Sequence, residues 1–298
     1  MTPGSPSPRP AYVRWLGLGL GVILLAAAVA MVVTRREIFG SAVAAIRHPA
    51  AGDVALLLGT ILANVVLTGL VFSVLMSRYG RVGVLEMQAL IAAAALANFL
   101  PLRPGLFGRA AYHKALNDIP IAATFKVTLV AMALSVTIAA YLALALFAAG
   151  HTTIQLWVMV AVPVPVLAAA AVRRRSRGVV VAGLFRYVEV LLLAVRYHTA
   201  FALIGSPIEH ASALTISCVS LVATLVPLSG NGLGLREWAV GIAAPLVTPW
   251  VVEMGLAADL LNRAAEVLLV VPLGVGALAW LGWRRRSTRV TRSPGPSS

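Results

Sequence analysis

The sequence predicts an all-α polytopic membrane protein: a transmembrane bundle of about six spanning helices plus two re-entrant helical hairpins, with eight full crossings as the rival arrangement. Three observations lead there. Of the 298 residues, 60% are hydrophobic and only 11% are charged, whereas an ordinary globular chain carries about 25% charged residues. Residues 16–33, 54–76, 127–150, 152–172 and 211–235 contain no Asp, Glu, Lys or Arg, and a spanning helix needs about 20 predominantly apolar residues. The basic residues gather at the ends of these runs. The segments are too long and too uniformly apolar for the alternating strands of a membrane barrel.

The net charge of +14 does not point to nucleic acid, because the cations do not share one amphipathic face. They read as topology signals. Arg173, Arg174, Arg175 and Arg177 follow the fourth apolar run, and Arg284, Arg285, Arg286, Arg289 and Arg292 follow the last. The positive-inside rule places both clusters in the cytoplasm. A basic rim also attracts anionic lipid. Cys218 is the single cysteine, so no internal disulfide forms. The N-terminal Pro-rich stretch (residues 1–12) and the end of a basic tail (284–298) read as disordered or solvated. The first apolar run, which continues to Val33 before Arg35 and Arg36, reads as an uncleaved helix.

Parity fixes the order of the spans. With Arg9 and Arg14 inside, two crossings return the chain to the cytoplasm at Arg78 and Arg81. The pair 127–150 and 152–172 also begins and ends inside, so residues 83–120 must start and finish on one face. They contain a helix at 84–100, a break at Pro101-Leu102-Arg103-Pro104-Gly105, and a second helical piece to Asn117. A hairpin entering from the cytoplasm fits. The same argument places crossings at about 185–204 and 255–281, with a second hairpin between them that enters from outside and breaks at Pro227-Leu228-Ser229-Gly230-Asn231-Gly232-Leu233-Gly234.

The two breaks resemble each other. Pro101-Leu102 leads to Gly105 and Arg109, and Pro227-Leu228 leads to Gly232, Gly234 and Arg236. Hairpins of like sequence opening to opposite faces are what an inverted-topology repeat predicts, with halves at about 13–172 and 178–283, and such repeats place a substrate site near the broken helices. Glycine lets a non-helical backbone approach a ligand, and a helix beginning after the break points free amides at it. Arg103, Arg109 and Arg236, with Gly105, Gly232 and Gly234, are therefore candidate phosphate-binding residues, and Glu237 adjoins them. The alternative for the same residues is close helix packing with arginines that snorkel to headgroups.

Ionisable groups inside the last span sharpen the picture. Asp259, Asn262, Arg263 and Glu266 recur at helical spacing along one face, and each ionised group at the bilayer centre costs about 2.5–3.5 kcal/mol on insertion scales. That face must meet the bundle interior or water, either as a structural network with pairing inside the helix or as a substrate path. Glu86, Lys126, Glu189 and Arg196 are isolated charges in otherwise apolar helices, and Asn64 and Asn98 read as interhelical glue. No Gly-Lys-Ser phosphate loop, His-Glu-x-x-His pair or Gly-x-Ser-x-Gly turn is present, so no catalytic residue, metal or cofactor is assigned.

From Pro227 through Gly232 and Gly234 to Arg236-Glu237, and again at Asn262-Arg263, the sequence resembles the transmembrane region of lysylphosphatidylglycerol synthases, the flippase-like membrane family. Asn98-Phe99-Leu100-Pro101 with Arg103, Gly105 and Arg109 is similar more weakly, and Leu106 stands where that family usually has an acid. The resemblance implies one flippase-like domain over 13–283 in a bacterial-type plasma membrane, with both termini cytoplasmic. It implies binding and translocation of an anionic or polyprenyl-type phospholipid between leaflets. The synthases append a soluble aminoacyl-transferase domain, whose chemistry is not expected here. The alternative function is a membrane-embedded transferase or accessory subunit in polyprenyl-linked glycolipid synthesis, with Glu237 or Asp259 as base. Membrane lipids are the expected partners, joined by a second copy or a partner membrane enzyme.

Overall fold

The computed structural model describes Ala26 and residues 50–100, 104–149, 153–172, 177–226 and 232–290. The first span at 16–33 apart from Ala26, the terminal tails, Arg103, Arg173 to Arg175 and the Pro227 to Asn231 part of the second break lie outside these residues. Ten helices are described: α1 (Ala51–Met76), α2 (Val84–Ala97), α3 (Pro104–Leu116), α4 (Ile121–Ala149), α5 (Thr153–Ala161), α6 (Pro163–Ala171), α7 (Arg177–Leu203), α8 (His210–Leu225), α9 (Leu235–Val247) and α10 (Val252–Val290). No strand occurs among the described residues. The protein is an all-α polytopic bundle, as the apolar runs predict.

Among the described residues five segments are long and apolar enough to cross a membrane: α1, α4, α5 with α6, α7, and α10 as far as Arg284. They match five of the six expected crossings. Their outer surfaces are apolar too, with Phe147 86% and Leu129 63% exposed, an arrangement that hydrocarbon stabilises and water does not. The run at 152–172 is not one straight helix as expected. It divides at Val162 because Pro163 has no N–H to give the Met159 carbonyl. Tyr141 repairs the loss by donating its hydroxyl to Met159 O at 2.6 Å, and Tyr187 donates to Val160 O at 2.6 Å.

The other four helices are short. α2, α3, α8 and α9 have 14, 13, 16 and 13 residues, or roughly 20–24 Å at about 1.5 Å per residue, against a hydrocarbon core of about 30 Å. They form two hairpins. Asn117 Nδ2 at the end of α3 donates to Glu86 Oε1 in the first turn of α2, closing the first mouth. Ser212 Oγ of α8 donates to Val247 O of α9 at 2.6 Å, closing the second. The mouths lie at opposite ends of α10: Glu86 meets Arg284 near its C-terminus at 2.6 Å, and Trp250, just before its N-terminus, reaches Pro207 O beside α8 at 3.1 Å.

Element order therefore repeats as long, short, short, long: α1–α2–α3–α4, then α7–α8–α9–α10. The repeats run in opposite senses. α1 and α7 pack antiparallel, with Val74 near Gly178, Thr68 donating to Glu189, and Leu57 in one apolar cluster with Leu203. Between the two units α5 and α6 form a connecting span. Exposed cations (Arg78, Arg81, Lys114, Arg177, Arg284) gather at the end where α1 finishes. Asp118, in the turn leading to α4, has its carboxyl held below the usual range by Lys114 at 2.9 Å. The opposite end carries Asp53 and Glu253 in the first turns of α1 and α10, and Glu209 capping α8.

Two cores hold the hairpins. Tyr197, Phe201, Ile216, Val240 and Met254 join α7, α8, α9 and α10, while Val71, Met76, Met87, Ile91 and Val127 join α1, α2 and α4. Both hairpins pack on α10, at different levels. A Cβ on Gly255 would lie 2.7 Å from Ala244 Cβ and 2.9 Å from Gly241 Cα on α9, and one on Gly274 would lie 2.5 Å from Leu96 Cβ on α2. Close approach of this kind is how helices gain contact energy in lipid, where apolar burial drives little. Gly255→Val is expected to lower the unfolding midpoint, with overpacking costing about 1–3 kcal/mol. Gly276→Val, with nothing within 4 Å of the added Cβ, should leave the midpoint unchanged, as thermal unfolding of both variants in one detergent would measure.

Candidate functional site

The second break positions its residues through backbone shape. Gly232 and Gly234 adopt φ of 73° and 78°, which side-chain-bearing residues rarely adopt. Gly234 is the residue from which α9 starts. A Cβ on Gly232 would sit 3.3 Å from both Thr224 Cα and Arg236 Cβ, so the turn also passes tightly over the end of α8. The result is that Arg236 and Glu237, in the first turn of α9, are buried and directed at α10.

α10 supplies the expected stripe, but its charges pair between helices. Arg236 Nε donates to Asp259 Oδ2 at 3.0 Å, and its Nη1 donates to Glu266 Oε2 at 3.0 Å. Arg263 Nε donates to Glu237 Oε1 at 2.9 Å. α7 adds Arg196, whose Nη2 reaches Glu266 Oε2 at 3.1 Å and whose Nε donates to Asn262 Oδ1. The Tyr197 hydroxyl lies 2.6 Å from both Asp259 Oδ1 and Ser220 Oγ, so it donates to the carboxylate and accepts from the serine. Glu237, Asp259 and Asn262 are each 0% exposed. Three guanidinium groups thus face three carboxylates, and the group is neutral as a whole.

Not every hydrogen-bonding position is used. Arg236 Nη2, Asn262 Nδ2 and Glu237 Oε2 are buried without a partner among the described residues. These two donors and one acceptor lie within the charged group that meets the glycine turn at Arg236.

The first break is different in kind. Asn98 Oδ1 accepts the Gly105 amide at 3.1 Å, so Asn98 clasps its own hairpin across the break and does not join separate spans. A Cβ on Gly105 would lie 2.3 Å from Ala94 O, which makes this glycine the condition for α3 closing on α2. Arg109 is only 6% exposed. Its Nη2 donates to Thr128 Oγ1 at 2.8 Å, and its guanidinium lies over the Phe72 ring at 3.8 Å. No carboxylate among the described residues pairs with it. Glu86 is engaged by Arg284 and Asn117, and Glu189 by Arg186 and Thr68.

The structure brings together Arg236, Glu237, Asp259, Asn262 and Arg263, with Gly232 and Gly234 at their edge. Arg109 and Gly105 are not among them: the partners of Arg109 are Thr128 and the Phe72 ring and that of Gly105 is Asn98, and Arg103 lies outside the described residues. Of the isolated charges, Arg196 joins the second group, Glu86 and Glu189 make their own pairs, and Lys126 is exposed. Tyr197 and Ser220 belong to the site without any sequence signal, being an ordinary aromatic and an ordinary small residue in apolar helices. A groove at the mouth of the second hairpin is lined by Pro207, Glu209, Ser212 and Thr248, not by the charged group. Among the described residues no three His, Cys, Asp or Glu gather as metal ligands.

In comparisons with known proteins, no family model, no curated protein and no solved structure matches the chain.

Removing one member of a buried ion pair strands the other, at about 3–5 kcal/mol. Arg263→Gln and Glu237→Gln should each lower stability by this order, and the double variant should lose less than the sum of the two, with a coupling of about 0.5–3 kcal/mol. Thermal unfolding of the four proteins in nanodiscs measures that cycle.

Proposed function

We propose that this chain is a flippase-like membrane protein that binds an anionic or polyprenyl-type phospholipid and moves its headgroup between leaflets. The observation that carries this reading is the neutral, buried group of α7, α9 and α10 beside the glycine turn, with Arg236 Nη2, Asn262 Nδ2 and Glu237 Oε2 unused. A headgroup crossing hydrocarbon needs polar partners along its way, because each unsatisfied group there costs several kcal/mol. A surplus of fixed positive charge would hold a phosphate too firmly to release it. Paired arginines and carboxylates can instead exchange partners with a passing headgroup at little net electrostatic cost.

The inverted order of the two four-helix units supports the same reading, since two hairpins opening to opposite ends suit access from either face in turn. The basic end is the cytoplasmic one by the positive-inside rule, which puts the mouth of the first hairpin in the cytoplasm and that of the second outside. The sequence motif shared with the lysylphosphatidylglycerol synthase membrane region belongs with this proposal. The alternative, a transferase or accessory subunit acting on a polyprenyl-linked glycolipid, draws support from Glu237 alone: its Oε2 is unpaired, while both oxygens of Asp259 are taken by Arg236 and Tyr197.

Reconstitution into liposomes with fluorescent phosphatidylglycerol tests the proposal. Leaflet exchange above protein-free vesicles, with no new lipid species by mass spectrometry, is expected. Gly234→Ala, which forces a side chain into a left-handed backbone, should slow exchange by about tenfold or more for each ~1.4 kcal/mol of strain carried in the active turn. A new glycolipid species, or exchange no faster than in empty vesicles, would count against transport.

A further inference from the structure

We propose that the first hairpin holds a second, separate polar site, one that binds a phosphate-class anion between α1, α3 and α4. Three buried polar atoms there have no partner among the described residues: Arg109 Nε, His113 Nε2 and Thr124 Oγ1. Arg109 ties the three helices together, through Thr128 on α4 and the Phe72 ring on α1. His113 lies one turn from Arg109 on α3, and Thr124 lies one turn from Thr128 on α4.

All three atoms can donate a hydrogen bond. The tautomer of His113 follows from its neighbour: Asn117 Nδ2 lies 3.2 Å from Glu86 Oε1 and 3.2 Å from His113 Nδ1. The amide nitrogen donates to both, so Nδ1 accepts and Nε2 carries the proton. The hydroxyl of threonine and the Nε–H of arginine complete the set. Buried donors without acceptors are costly, and a ligand bearing several oxygens and a negative charge relieves all of them at once. A phosphate or phosphodiester has that chemistry, and a guanidinium is suited to it.

The charge count agrees. Of the ten acidic residues in the sequence, Glu86, Asp118, Glu189, Glu237, Asp259 and Glu266 are paired with cations other than Arg109. Asp53, Glu209 and Glu253 stand at the other end of the bundle. Glu37 lies outside the described residues. Phe72 is four residues from the end of α1, so Arg109 sits about one helical turn, ~6 Å, inward from the basic end, close to the depth of phospholipid headgroups. The site stands on these unpartnered donors. It rests on the transport reading only in taking the phosphate to be lipid-borne.

The test places the full chain in nanodiscs of phosphatidylcholine alone, of phosphatidylcholine with phosphatidylglycerol, and of phosphatidylcholine with inorganic phosphate in the buffer. Unfolding is followed by tryptophan fluorescence, and retained phosphatidylglycerol is counted by native mass spectrometry. A rise in the wild-type midpoint with phosphatidylglycerol supports a lipid-borne anion, and an equal rise with inorganic phosphate supports the site with a soluble source. Arg109→Gln should abolish the rise and weaken retention about tenfold. In phosphatidylcholine alone this variant should unfold no earlier than wild type, because an uncompensated cation has been withdrawn from apolar surroundings. Arg109→Lys keeps the charge without the fork and should keep part of the effect. Should Arg109→Gln not fold, the double variant His113→Gln, Thr124→Val carries the same expectation for retention. The proposal is overturned if neither anion shifts the wild type, or if the variants respond as the wild type does. Leaflet exchange is not read in this assay, so retained lipid with failed transport leaves the site standing and removes only the transport reading.

Discussion

Charge neutralisation out of water is the constraint on which the second half of this protein depends. Arg196, Arg236 and Arg263 come from three different helices, and the carboxylates that meet them come from α9 and α10. None of these side chains could remain ionised in hydrocarbon alone without a cost of several kcal/mol. Their pairing fixes the rotation of α7, α9 and α10 about their own axes, because a helix turned by one residue, about 100°, would present apolar side chains to a charge. Apolar contact in a membrane discriminates weakly between such rotations, whereas ion pairs discriminate strongly.

The glycine turn is what makes that pairing reachable. α9 has to begin at depth, with Arg236 and Glu237 in its first turn, and it can do so because Gly232 and Gly234 take left-handed backbone. The first hairpin solves the corresponding problem by other means. Asn98 satisfies an amide after the break, and Gly105 removes the side chain that would keep α3 from α2. Two breaks of similar sequence therefore yield one neutral polar group and one guanidinium without a carboxylate partner among the described residues, with the helix order inverted between them. Their chemistry differs although their architecture repeats.

Much of the fold is legible in the residues. Runs without charge mark the spans, Pro-Leu followed within a few residues by glycine marks the breaks, and the stripe Asp259, Asn262, Arg263, Glu266 marks one face of α10. Local sequence was a poorer guide where a distant residue completes the chemistry. Pro163 divides the 152–172 run, and the division persists because Tyr141 and Tyr187, on other helices, take up the carbonyls beside it. Asp259 and Arg263 have the spacing of an intrahelical pair, and the sequence did not show that Arg236 and Glu237 reach the same two residues from α9.

What the sequence by itself determined is the solvent, the helical class, the spans and the two places where helices break, because each follows from local composition and from backbone groups that must be satisfied within a few residues. Tertiary structure alone decided which arginine is neutralised. Arg109 and Arg236 occupy equivalent places after their glycines, and only the helices packed across from them differ: α10 offers Asp259 and Glu266 to one, while α1 and α4 offer Phe72 and Thr128 to the other. The electrostatic state of a buried charge is set by its neighbours in space, and those neighbours lie 19 to 37 residues away along the chain.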